Sequence, residues 1–155
     1  MTKISKILVA LDFSEHASQA LRFAADLALK YGASLTLLHV DDLVIGLAPF
    51  PLLPPKIIER SAAESRALLE REKTHATSLG VPRVDTALID SRPYYEIVRF
   101  ADQGNYDLIV MGTHGRSGFN RVMLGSVAER VVRRAGRSVL AIPLRSTADA
   151  EDDSG

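Results

Sequence analysis

The chain has 155 residues, no cysteine, and 19 basic against 19 acidic side chains. The missing cysteines exclude disulfides, thiolate metal sites and cysteine nucleophiles, and the zero formal net charge argues against bulk electrostatic binding of nucleic acid, which needs a strongly basic domain. With 46% hydrophobic and 25% charged residues, the composition is that of a single globular domain with a sizeable core.

The opening MTKISKILVALDFSE has a short apolar run with no small-residue cleavage site, so no signal peptide is expected. No apolar run reaches the ~18 residues that cross a membrane, and a cytoplasmic protein is the expectation. KILVAL, Lys6 to Leu11, is a continuous apolar run ending at Asp12, the pattern of a strand buried on both faces. Ser14 then suits a helix N-cap, with Glu15 in the first turn where the dipole favours it. Apolar residues recur at Ala17, Ala20, Leu21, Ala24, Leu27, Ala28 and Tyr31, which predicts an amphipathic helix stopped by Gly32. SLTLLHV, Ser34 to Val40, is the second strand.

Residues 41–55 hold four prolines and a glycine in an apolar context, and are read as a loop rather than a helix. A second helix is predicted from about Pro55 to Leu79, closed by Gly80-Val81-Pro82. RVDTALI, Arg83 to Ile89, alternates more than the earlier strands and reads as a third strand nearer an edge. A short third helix follows Pro93 and ends at Gly104-Asn105. YDLIVMG, Tyr106 to Gly112, is a fourth buried strand, a fourth helix runs from about Ser126 to Ala135, and SVLAIPL, Ser138 to Leu144, is the fifth strand. The expected domain covers 1–146, with an acidic, flexible tail at 147–155.

Strict alternation of strands and helices predicts an α/β fold: one open five-stranded parallel sheet with helices on both faces. Such sheets bind ligands outside the carboxyl ends of their strands, where strand order reverses. The strand ends to watch are Asp12, Val40, Ile89 with Asp90, and Met111 with Gly112.

After the fourth strand comes MGTHGRSGFNRVMLGSVAERVV. Glycines let the backbone approach a ligand closely, successive N–H groups can cradle an anion, and a helix start adds unpaired N–H groups and a positive dipole end. Ser126 can cap that helix or offer its hydroxyl to a phosphate. Neither GxxxxGK[ST] nor a GxGxxG after the first strand is present. On chemistry alone the loop reads equally well as an anion cradle or as a strand-to-helix connection.

The spacing Gly112-x2-Gly115-x9-Gly125-Ser126, together with ALDFS, LTLLHV and GSVAERVVRRAGRSVLAIP, resembles the ATP-binding members of the universal stress protein family over about residues 3 to 144. The resemblance implies a Rossmann-like fold related to the adenine nucleotide α-hydrolases. It implies ATP as ligand, with Mg²⁺ or Mn²⁺ carried on the phosphates. Asp12 would contact the adenosine part, Val40 would meet adenine through its backbone, and Met111 and Gly112 would lie near the nucleoside. Gly115, Arg116, Gly125, Ser126 and Val127 would surround the phosphates. The resemblance also implies a homodimer paired through the last strand, about 138–144, whose edge would otherwise be open.

Among the histidines, His39 reads as a satisfied structural residue in a buried strand and His114 as a loop residue. Arg133 to Arg137 read as a solvated helix end. Nothing in the sequence clearly supplies a base for phosphoryl transfer; Asp90 and Glu96 are candidates by neighbourhood alone. Binding and signalling are favoured over catalysis, with slow ATP hydrolysis or a dimeric module without nucleotide as alternatives.

Overall fold

The computed structural model describes residues 2–42, 55–115 and 123–144. The elements alternate as expected: β1 (Lys6–Ala10), α1 (Glu15–Tyr31), β2 (Ser34–Asp41), α2 (Pro55–Ser78), β3 (Val84–Asp90), α3 (Pro93–Gln103), β4 (Leu108–Gly112), α4 (Ser126–Arg134) and β5 (Ser138–Ile142). All strand pairs are parallel, in the order β3-β2-β1-β4-β5. The third strand is at one edge and the fifth at the other. The predicted loop at 41–55 and the acidic tail lie largely or wholly outside the described residues.

The strands are apolar on both faces because both are covered, and alternate side chains serve opposite layers. Ile7, Val9, Leu35, Leu37 and Val110 pack with α1 and α2 residues such as Leu21, Ala24 and Leu69. Leu8, Leu38, Ile109 and Met111 pack with Ile97 and Ala101 of α3 and Ala128 and Val131 of α4. The buried stripe of α1 is mostly alanine (Ala17, Ala20, Ala24, Ala25, Ala28), so its axis can lie close to the sheet. Ser14 Oγ accepts from Ala17 N–H at 3.2 Å, and Gly32 ends the helix at φ +66°, a left-handed turn natural to glycine. Tyr31, expected on the apolar stripe, is half exposed because the chain turns away at Gly32 to enter β2.

β2 reaches one residue further than expected and β3 lies one residue later; the other three strand ends that differ do so for a hydrogen-bonding reason. β1 stops at Ala10: Leu11 N–H still donates to the Leu38 carbonyl at 2.8 Å, but its own carbonyl is taken by the His39 ring. β4 begins at Leu108 because Tyr106 N–H returns to the Ala101 carbonyl of α3. Its buried hydroxyl donates to Thr36 Oγ1 at 2.8 Å. β5 ends at Ile142, before Pro143, which has no N–H to continue the ladder.

At the opposite end of the sheet from these carboxyl termini, one oxygen of Asp107 accepts from Ser5 N–H, Ser5 Oγ and Lys6 N–H at 2.8, 3.0 and 2.9 Å. The backbone N–H of Ser5 first, then that of Lys6, holds the carboxyl below its ordinary pKa. The folded value is depressed, so this stabilisation is present above the ordinary carboxylate range and is lost as pH falls through the depressed value. Asp107→Asn should therefore lower the unfolding free energy by about 1 kcal/mol at neutral pH. In urea titrations the gap between variant and wild type should close in acid; a gap that persisted there would show that the charge is not the source.

Candidate functional site

The strand order reverses beside β1: the chain steps outward through β2 and β3, then returns to place β4 on the other flank of β1. At the carboxyl ends of β1, β2 and β4 lies a cavity of about 400 Å³, within the ~300–1,000 Å³ of small-molecule sites. Its walls divide by chemistry. One side is apolar, from Ala10, Leu38, Val40, Met111 and, across from them, Pro93 and Ile97 of α3. The other side is built from Asp12, the Gly112–Gly115 turn, and Gly125, Ser126 and Val127 at the start of α4.

Eight of the nine residues expected from sequence line this cavity: Asp12, Val40, Met111, Gly112, Gly115, Gly125, Ser126 and Val127. Arg116 lies outside the described residues. Sequence reasoning missed the opposite wall, Pro93 and Ile97, because an amphipathic α3 gives no sign of which turn meets a ligand. Asp90 and Glu96 are not cavity residues. Glu96 is buried and holds Arg99 through two hydrogen bonds of 2.9 and 2.7 Å, which keep the guanidinium pKa above its ordinary value.

The glycines divide their labour. A Cβ on Gly112 would stand 2.7 Å from His16 Cβ and 3.0 Å from the His16 carbonyl carbon, so this glycine seats the first turn of α1 on the end of β4. A Cβ on Gly125 would stand 3.0 Å from the Thr113 carbonyl oxygen. Gly125 N–H donates to that oxygen at 2.7 Å and ties the entry of α4 to the exit of β4. A Cβ on Gly115 would meet Asp12 Oδ2 at 2.6 Å, so this glycine leaves room for the carboxylate rather than for backbone.

Helix α4 has no side-chain cap on its first turn. Its early N–H groups and its positive dipole end therefore remain available to an anion at the cavity. Asp12 Oδ1 accepts from Ser14 N–H at 3.0 Å and from Ser14 Oγ at 2.5 Å. An ionised carboxylate is acceptor-only, so Asp12 suits hydroxyl or amino donors and not phosphate oxygens. His114 lies close to the Thr113 hydroxyl through Nδ1 (3.0 Å) and to the Met123 carbonyl through Nε2. It joins the two ends of the loop instead of standing free in the cavity. The arginines of α4 and just beyond it are occupied at the surface: Arg133 pairs with Glu129 and Arg137 with Asp102, while Arg130 and Arg134 lie over the Tyr94 ring. Among the described residues no group of three or more His, Asp or Glu is arranged to hold a metal ion.

Residues 3–143 match the sequence model of the universal stress protein family. A universal stress protein of Methanocaldococcus jannaschii is 35% identical over 142 residues, covering 88% of this chain and 81% of the relative. The solved universal stress protein UspA from Lactobacillus plantarum superposes with a TM-score of 0.81 at 28% identity, covering 92% of this chain and 99% of that one. A universal stress protein from Archaeoglobus fulgidus, solved in complex with dAMP, superposes with a TM-score of 0.66 at 26% identity, covering 92% and 99%.

The contact of Gly112 with α1 is testable apart from any ligand. Gly112→Ala should cost roughly 1–3 kcal/mol of stability, the usual penalty for overpacking a close contact. Thermal and urea unfolding would read it, and an unchanged midpoint would mean that α1 is not seated on β4 as described.

Proposed function

Because the chain belongs to the universal stress protein family, we propose that it binds ATP in this cavity and acts as a nucleotide-dependent stress-response protein. The observation that carries the reading is the division of the cavity: an apolar slot on one side, an uncapped helix start with a glycine turn on the other. A purine is flat and apolar on its faces, and a triphosphate is a compact anion; the two walls suit the two parts. The dAMP held by the Archaeoglobus relative supports an adenine nucleotide.

In this reading adenine lies against Leu38, Ile97 and the backbone of Val40, and Met111 and Gly112 flank the nucleoside. Asp12 accepts from a ribose hydroxyl or the adenine amino group. The phosphates meet N–H groups at Gly115, Gly125, Ser126 and Val127, with Arg116 next in sequence to Gly115 as a source of positive charge. Mg²⁺ or Mn²⁺ would ride on the phosphates and keep most of its waters, as Mg²⁺ commonly does. The titratable cavity residues among those described are Asp12 and His114, and both have hydrogen-bonding neighbours within the protein. In this reading the protein binds the nucleotide, with slow hydrolysis as the alternative. A cytoplasmic place of action goes with this reading, since ATP is abundant there.

Isothermal titration with ATP and Mg²⁺ should give a dissociation constant of micromolar order, about −8 kcal/mol. Gly115→Val should abolish binding, because its side chain would occupy the space of the Asp12 carboxylate. Absence of binding by the folded wild type would refute the reading.

We also propose a homodimer through β5, at a sheet edge with β4 on its other side; open strand edges favour pairing with another chain. Analytical ultracentrifugation at micromolar protein should return twice the chain mass. A single-chain mass would contradict the pairing.

A further inference from the structure

His39 belongs to β2, is buried, and does not line the cavity, yet it touches both neighbours of Asp12. Its Nδ1 lies 2.6 Å from the Leu11 carbonyl oxygen. Its ring packs on Phe13, with centroids 4.3 Å apart. Its Nε2 lies 2.9 Å from Asp41 Oδ1, and the same oxygen accepts from Ser65 Oγ of α2 at 3.1 Å.

Two features of this cluster exceed what a merely tolerated core histidine requires. First, both ring nitrogens face acceptors, a carbonyl and a carboxylate. The ring therefore ties the exit of β1 to the end of β2. Second, Phe13 has φ +62°, a left-handed conformation that bulky residues rarely take and that persists only when its surroundings enforce it. The turn at Phe13 brings Ser14 back onto Asp12 Oδ1, while Oδ2 lies beside Gly115.

We propose that His39, itself fixed by Asp41 and Ser65, is a positioning residue that holds Leu11 and Phe13 so that the Asp12 carboxylate is set in the cavity before a nucleotide arrives. The proposal rests on the nucleotide reading for its functional meaning, but its structural content can be tested without ligand. It also links α2, through Ser65, to the cavity on the other side of the sheet.

Two amide variants separate the contacts. In His39→Asn the amide nitrogen can stand where Nδ1 does and keep the bond to Leu11; in His39→Gln it can stand where Nε2 does and keep only the bond to Asp41. Both lose the ring, so their difference sets the Leu11 bond against the Asp41 bond. ATP affinity should fall about tenfold or more in His39→Gln and stay within about threefold of wild type in His39→Asn, the scale of one hydrogen bond in an ordered site. In the ligand-free protein, the Phe13, Ser14 and Gly115 amide resonances should shift in His39→Gln and lie closer to wild type in His39→Asn. Equal behaviour of the two variants in both measurements would overturn the proposal. If wild type bound no ATP, the nucleotide reading would fall while the ligand-free spectra still decided the role of His39. Should His39→Gln fail to fold, Asp41→Ala keeps the ring but removes its carboxylate partner; it should displace the same resonances, and unchanged positions would overturn the proposal.

Discussion

Everything at the candidate site depends on β1 lying between β2 and β4. A parallel sheet can accept a strand on either flank of its first one, and here the chain uses both. It lays β2 and β3 on one side and then carries α3 back across the face to start β4 on the other. The connections leaving β1 and β4 consequently part in opposite directions, and the gap between them is the cavity. The register keeps Ile7, Leu8 and Val9 opposite Leu108, Ile109 and Val110, so the two strands end side by side. Asp12 therefore emerges within one residue of the level of Gly112.

That juxtaposition gives the glycine spacing its meaning. Gly112 lets α1 close over the end of β4, Gly125 lets the chain return to Thr113, and Gly115 leaves space beside Asp12. Two of the three serve backbone packing and one serves a side chain that belongs to another strand. Among the described residues of the motif, the uncapped start of α4 is the part that resembles the generic anion site first suggested by the sequence. The motif is thus less a phosphate loop in itself than a device for bringing a helix start, a turn and a carboxylate around one space.

The element order and the edge strands were legible in the chain because they depend on local pattern, while eight of the nineteen cavity residues were legible through the resemblance that the glycine spacing carries. Apolar runs, Ser14 as a cap, Gly32 as a stop, and Pro93 at a helix start each act within a few residues of themselves. The spacing from Gly112 to Ser126 carried further, since it marks two chain segments that must meet. What stayed hidden depends on contacts between distant positions. Ser65 lies on the buried stripe of α2, yet reads in sequence as one more polar helix residue, and its partner Asp41 is 24 residues away. Pro93 and Ile97 read as helix start and helix core, and nothing local says that they face a ligand. His39 was legible as a satisfied histidine but not as a neighbour of Leu11 and Phe13, because only the pairing of β1 with β2 brings them together. Arg116 falls outside the described residues, and its place at the phosphates is a proposal.

The central claim is that one cavity holds a nucleoside on its apolar side and phosphates at the start of α4. A crystal structure of the protein with ATP and Mg²⁺ tests it most directly. The account predicts adenine beside Val40 and Ile97, a ribose hydroxyl or the adenine amino group on Asp12, and the triphosphate against the N–H groups of Gly115, Gly125 and Ser126. A triphosphate directed away from α4, or a nucleotide bound elsewhere on the fold, would contradict it.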